Sequence, residues 1–155
     1  MKVGIGYDIH AFEDGKALKL GGVTIPFPQG LKGHSDGDCL IHAICDALLG
    51  AACLGDIGEH YPDTDPSIKN IDSSIILIDI LKKVKNKGYQ IDNIDANIIA
   101  QVPKLTPYKN AIKLKLAEII GIDPSQINIK AKTKENLDAV GQKLAIECQA
   151  IVLLK

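Results

Sequence analysis

Asp8 and His10 stand two residues apart in Gly6-Tyr7-Asp8-Ile9-His10, and the Val, Ile and Tyr content of Val3–His10 predicts a strand. Side chains two apart on a strand leave the same face, so a carboxylate oxygen and an imidazole nitrogen can reach one ion. Taken alone, such a pair is more often a surface hydrogen bond. His42 falls one turn into a predicted helix, roughly Asp38–Leu54, with Asp46 at i+4 on the same side. A histidine bridged along the helix to that carboxylate is the plain alternative. Together, Asp8, His10 and His42 make an oxygen–nitrogen–nitrogen set that leaves one tetrahedral position open, as in catalytic rather than structural zinc sites. Asp46 or Asp38 would then orient His42 through its other ring nitrogen.

Gly33-His34-Ser35-Asp36-Gly37-Asp38 puts a histidine, a hydroxyl and two carboxylates at the start of that helix. Free N–H groups at a helix N-terminus favour phosphate. A capped turn would account for Ser35 and Asp36, though not for His34 and His42 flanking the helix start. Gly55-Asp56-Ile57-Gly58 and Tyr61-Pro62-Asp63-Thr64-Asp65 offer carboxylates and backbone donors suited to hydroxyl-bearing ligands, or form a solvated loop.

The elements that must position these groups follow from pattern. Leu18–Leu20 and Val23–Ile25 flank paired glycines, a hairpin signal. Gln29–Gly37 and Gly55–Asn70 read as loops. Ser73–Lys87 places Leu77, Ile80, Leu81 and Val84 on one helical face and ends at Gly88. Ile91–Gln101, Ile127–Thr133 and Leu144–Leu154 read as strands. Thr106-Pro107 reads as an N-cap and first turn of a helix closing at Gly121. The expected fold is α/β (α+β type): a single domain over residues 1–155, its mixed sheet covered by helices on one face.

Composition narrows the partners. The 155 residues are 46% hydrophobic and 24% charged with a net charge of −1, so no nucleic-acid footprint or polybasic membrane patch is present. Every basic side chain is lysine, which neutralises phosphate as a point charge without the guanidinium fork. No apolar stretch approaches the ~20 residues of a membrane span, and the N-terminus lacks a signal-peptide core. Cys39, Cys45, Cys53 and Cys148 contain no C-x-x-C pair; core packing is preferred over a thiol nucleophile or ligand, and a cytoplasmic, reducing location is expected.

Six segments in register resemble the 2-C-methyl-D-erythritol 2,4-cyclodiphosphate synthase family. They are Gly6–His10, Gly33–Asp38, His42–Ala52, Gly55–Gly58, Tyr61–Pro66 and Ile98–Lys104, and the likeness runs from about residue 2 to the end. The resemblance implies a lyase of non-mevalonate isoprenoid synthesis. Such an enzyme closes 4-diphosphocytidyl-2-C-methyl-D-erythritol 2-phosphate to the cyclic 2,4-diphosphate and releases CMP. It implies zinc or another divalent ion on Asp8, His10 and His42, and magnesium or manganese between the substrate phosphates with Glu135 as protein ligand. His34 and Thr133 would steady the transition state. Cytidine would lie against Ala100, Gln101, Val102, Pro103, Lys104, Leu105 and Thr106 and against Ala131–Thr133. Ser35, Asp56, Ile57, Gly58, Tyr61, Pro62, Asp63, Thr64 and Asp65 would complete the substrate site. A homotrimer with active sites between subunits is likewise implied.

The chain departs from the family after Thr133-Lys134-Glu135. Gln142 and Lys143 stand where an arginine is usual, and Lys132 and Lys134 flank Thr133 where small hydroxyl residues are common. Either lysine would supply the missing positive charge. A metal-dependent phosphohydrolase and a non-catalytic nucleotide-binding trimer are the alternative readings.

Overall fold

The strand expected at Val3–His10 runs longer, as β1 (Lys2–Asp14), in a computed structural model that describes residues 1–155. From Gly4 to His10 its even-numbered residues face inward: Gly4 and Gly6 are buried, while Asp8 and His10 are partly so. Val3, Ile5, Tyr7 and Ile9 point outward and are exposed.

β2 (Leu18–Leu20) and β3 (Val23–Ile25) form the expected hairpin, turning through Gly21 and Gly22 at φ of 61° and 76°. β4 (Gln29–Leu31) corrects the expected loop. Three residues around a glycine carry no periodic signal, and their strand geometry comes from pairing with the tail of β1 (Phe12↔Leu31, Asp14↔Gln29). α1 (Cys39–Ala52) and α3 (Ser73–Asn86) match their expected spans closely, and a short α2 (Ile57–His60) interrupts the expected loop between them. β5 (Ile91–Ile99), α4 (Lys109–Ile120), β6 (Ile127–Lys132), a one-turn α5 (Asp138–Gly141) and β7 (Ala145–Leu154) complete the chain. The expected Thr106 cap is not made: Thr106–Tyr108 is a 3-10 turn leading into α4, with no side-chain cap at either junction.

The five-stranded sheet has the order β4-β1-β7-β5-β6. β7 is antiparallel to both β1 and β5, whereas β5 and β6 run parallel, so the sheet is mixed. α1 lies directly on β1. A Cβ added at Gly6 would stand 1.9 Å from the Ala43 carbonyl oxygen, and one at Gly4 would stand 2.0 Å from that of Ala47. Only glycine permits that approach, and it sets how far α1 residues are from the ligand end of β1.

Leu40, Ile44, Leu48, Leu77, Ile80, Ile98 and Val152 belong to one core cluster of 35 buried residues between sheet and helices. Cys39, Cys45 and Cys148 are buried there, as core packing requires. Cys53 is exposed and closes α1 in a left-handed conformation (φ 55°), correcting its expected burial. No helix is long and apolar enough to cross a membrane.

Candidate active site

Strand period and helix placement together bring three side chains to one point. Asp8 Oδ2 lies 2.8 Å from His10 Nε2 and 3.0 Å from His42 Nδ1, and the two nitrogens are 3.2 Å apart. These separations lie near the ~3.3 Å edge of a tetrahedron built on metal bonds of about 2.0 Å. The three are the group of His, Cys, Asp and Glu side chains whose ligand atoms all fall within 4.8 Å of one another.

Hydrogen bonding at the far side of each ring decides which nitrogen carries the proton. His42 Nε2 lies 2.9 Å from Ser73 Oγ and 3.1 Å from Ser35 Oγ. Ser73 is fully buried and gives its hydroxyl hydrogen to Asp36, so toward His42 it can only accept. The proton of neutral His42 therefore sits on Nε2 and leaves a lone pair on Nδ1. The Lys32 backbone carbonyl accepts the ring N–H of His10, which leaves a lone pair on Nε2 of the neutral ring. Two nitrogen lone pairs and a carboxylate oxygen then face one another, an arrangement that requires a proton or a cation between them.

Without an ion the groups respond accordingly. Burial works to raise the Asp8 carboxyl, but hydrogen bonds from His10 and His42 outweigh it and hold it well below the usual carboxylate range. Burial works to lower His10, and the Asp8 carboxylate outweighs that and raises it.

The partner expected for His42 is corrected. Asp46 accepts from the Ile57 backbone N–H at 2.9 Å, tying α1 to the loop that enters α2. Asp38 is fully buried and accepts from the N–H groups of Ile41, Gly21 and Gly22 at 3.0, 2.9 and 2.8 Å. That carboxylate caps α1 through the Ile41 N–H and ties its start to the hairpin turn. Sequence reasoning missed Ser73, which lies 31 positions from His42; its place at a helix start gave no sign of this role.

A cleft of about 580 Å³ has His10 and His42 on its wall, together with Lys32, His34, Ser35, Ile57, Gly58, Tyr61 and Asp63; Asp8 is not part of that wall. His34 Nε2 lies 3.0 Å from the Asp65 carbonyl oxygen. The Asp56 and Asp65 carboxylates cap α2 and the following 3-10 turn, accepting from Glu59 and Ser67 N–H, while Pro62 and Thr64 are exposed between them. Ser35 is buried with its hydroxyl against His42 and the Gly37 N–H, which makes it a support of the ligand. Tyr61 donates to Asp79, and burial together with that carboxylate raises its phenol.

A second cavity, about 330 Å³, is lined by Ala100, Gln101, Pro103, Lys104, Leu105, Thr106, Ala131, Lys132 and Thr133; Val102 is not part of its wall. Register places Ala131 level with Asp8 (Asp8↔Cys148, Ile98↔Cys148, Ile98↔Ala131). Three inter-strand steps separate them, about 14 Å across the sheet. Thr133 Oγ1 donates to the exposed Glu135 carboxylate beside this cavity. Lys134 corrects the expectation of a free charge: its Nζ lies 2.8 Å from Glu147 Oε1 and 3.1 Å from Asp138 Oδ2.

Against known proteins, the YgbB family model matches residues 1–155. A 2-C-methyl-D-erythritol 2,4-cyclodiphosphate synthase of Desulfatibacillum aliphaticivorans is 51% identical over 152 residues, 97% of this chain and 98% of the relative. The bifunctional IspDF of Campylobacter jejuni superposes with a TM-score of 0.96 at 44% identity; the match covers 99% of this chain and 42% of that longer one. A 2C-methyl-D-erythritol-2,4-cyclodiphosphate synthase solved in a CDP-bound form superposes with a TM-score of 0.90 at 36% identity, covering 99% of both chains.

Proposed function

This chain belongs to the YgbB family, and we propose that it catalyses the reaction its relatives are named for. In this reading it closes 4-diphosphocytidyl-2-C-methyl-D-erythritol 2-phosphate to 2-C-methyl-D-erythritol 2,4-cyclodiphosphate and releases CMP, in non-mevalonate isoprenoid synthesis. The observation that carries the reading is the convergence of Asp8, His10 and His42 beside a cleft that His10 and His42 line.

An oxygen of the substrate's 2-phosphate forms a bond to the β-phosphorus, the bond from that phosphorus to the bridging oxygen breaks, and CMP departs with the electron pair. The nucleophile is already an anion, so no protein base is needed, and the work left is alignment and charge neutralisation. A zinc or other divalent ion on Asp8, His10 and His42, and a magnesium or manganese ion with Glu135, would supply positive charge to the phosphate oxygens. Ser73 and Ser35 keep the His42 lone pair aimed at the cleft. His34 and Thr133 hold the phosphoryl group in line, and the loop from Ile57 to Asp63 shields it from water.

The cavity at Ala100–Thr106 and Ala131–Thr133 takes the cytidine. Its distance of about 14 Å from Asp8 in the same sheet supports an active site shared between neighbouring copies. The exposed Val3, Ile5, Tyr7, Ile9 and Ile151 on the uncovered sheet face support assembly, which the family resemblance makes a homotrimer, working in the cytoplasm.

The test is incubation of the purified protein with the cytidyl substrate and divalent metal, followed by chromatography for CMP and phosphorus NMR for the cyclic product. EDTA and Asp8→Ala should each abolish both products. Normal CMP release in their presence would remove the metal assignment, and free phosphate in place of the cyclic product would make the enzyme a hydrolase.

A further inference from the structure

The loop after β6 departs from ordinary backbone more than any other part of the chain. Glu135, Asn136 and Asp138 all lie in the left-handed region, at φ of 50°, 63° and 55°, and none is glycine. Non-glycine residues persist there only where their surroundings hold them. Gly141 packs so closely on the turn that an added Cβ would stand 2.4 Å from the Asn136 carbonyl carbon. The Asn136 N–H donates to Gln101 Oε1 at 3.3 Å, joining the turn to the cavity wall.

The remaining restraint is ionic. Glu147, on β7, is only 6% exposed. Its carboxylate accepts from the Tyr7 hydroxyl at 3.2 Å and pairs with Lys134 at 2.8 Å. A carboxylate so shielded needs its counter-charge, and Lys134 is the cation that reaches it. The same ammonium holds Asp138 at 3.1 Å, so one side chain spans the turn and ties both its ends to the sheet. Thr133 and Glu135 immediately flank Lys134, and Thr133 lines the cavity while Lys134 does not.

We propose that Lys134, clamped by Glu147 and Asp138, is a positioning residue that holds Thr133 and Glu135 toward the substrate diphosphate. Its charge is paired within the protein, and Lys132 is the lysine beside it that lines the cavity. The proposal rests on the reaction assigned above, in which Thr133 and Glu135 meet the phosphates and their cation.

The test compares the unaltered protein with Lys134→Met and Lys134→Arg. In metal-free, substrate-free protein, amide exchange over 133–138 should quicken in Lys134→Met and stay near the unaltered rate in Lys134→Arg. With zinc loaded, Lys134→Met should need about tenfold more magnesium for half-maximal turnover, the size expected when a ligand loses its supporting partner. Zinc content should remain unchanged in both variants. If Lys134→Met does not fold, Glu147→Gln, which keeps one acceptor oxygen for Lys134 and loses the charge, should show the same two changes in smaller measure. Unaltered exchange and unaltered magnesium dependence in the soluble methionine or glutamine variant overturn the proposal. Should the unaltered protein form no cyclic product, the assigned reaction fails instead, and the exchange experiment still decides what Lys134 does to the turn.

Discussion

Replacing Ser73 by alanine removes one oxygen that is not itself a metal ligand and should still weaken metal binding. The Ser73 hydroxyl stands 2.9 Å from His42 Nε2 and donates to Asp36, so it fixes the His42 proton on the far side of the ring from Asp8. Without it the ring keeps only the Ser35 hydroxyl, at 3.1 Å, and both its tilt and its tautomer are less constrained. Partners of this kind are worth 10- to 100-fold in metal affinity, roughly 1.4–2.7 kcal/mol. Because Ser35 remains, the expected loss is at the lower end, about tenfold. Fold stability should fall by only about 1 kcal/mol, since Asp36 loses one hydrogen bond but retains Lys19. The assay is competition for zinc against a chromophoric chelator, with thermal unfolding of the metal-free protein as control. Zinc affinity equal to that of the unaltered protein, with stability also unchanged, would refute the assignment of the His42 lone pair. A large loss of stability with no separate loss of affinity would make Ser73 a packing residue.

Gly6→Ala should lower stability by about 1–3 kcal/mol through overpacking and also reduce zinc stoichiometry, because the new methyl meets the Ala43 carbonyl beside His42; calorimetry and metal analysis check both. Asp38→Ala should cost about 3–5 kcal/mol, read by denaturant unfolding, since it strips the acceptor from three backbone N–H groups at the junction of α1 and the hairpin. Asp72→Ala should cost about 1 kcal/mol at pH 7 through loss of the α3 cap. Ser74 and Lys19 pull the Asp72 carboxyl down to about 2, so its contribution is complete above the ordinary value near 3.8 and fades as pH falls toward 2. The two proteins should therefore converge in melting temperature across that window, the difference being small throughout because Asp72 is largely solvated.

Much of the site could be read from spacing because its parts obey local periods. Asp8 and His10 share a face by the two-residue period of a strand, and His42 is placed by the start of α1. The groups that act on those ligands obey no such period. Ser73 reaches His42 only because α3 packs against α1, and nothing in Asp72-Ser73-Ser74 distinguishes a hydroxyl aimed at an imidazole from one that caps a helix. Asp46 has the helical spacing to meet His42, yet the Ile57 N–H captures its carboxylate. Lys134 looked like free charge beside Thr133 until β7 brought Glu147 under it. β4 escaped notice for a related reason: its three residues are a strand only because the end of β1 offers them a partner.

The two glycines of β1 and its two ligands are consequences of one contact. Gly4, Gly6, Asp8 and His10 occupy successive inward positions, so the strand changes from surface that must be bare to surface that must bind. Where α1 touches the backbone, at Ala47 and Ala43, any side chain on β1 would push the helix away. One residue before Ala43 stands His42, and the strand has by then reached Asp8, so the same close approach that buries the core sets the distance between carboxylate and imidazole. Zinc-site geometry tolerates displacements of only a few tenths of an ångström. A helix held off by one methyl group would shift the His42 ring by more than that, which ties the glycines of β1 to metal binding as directly as the ligands themselves.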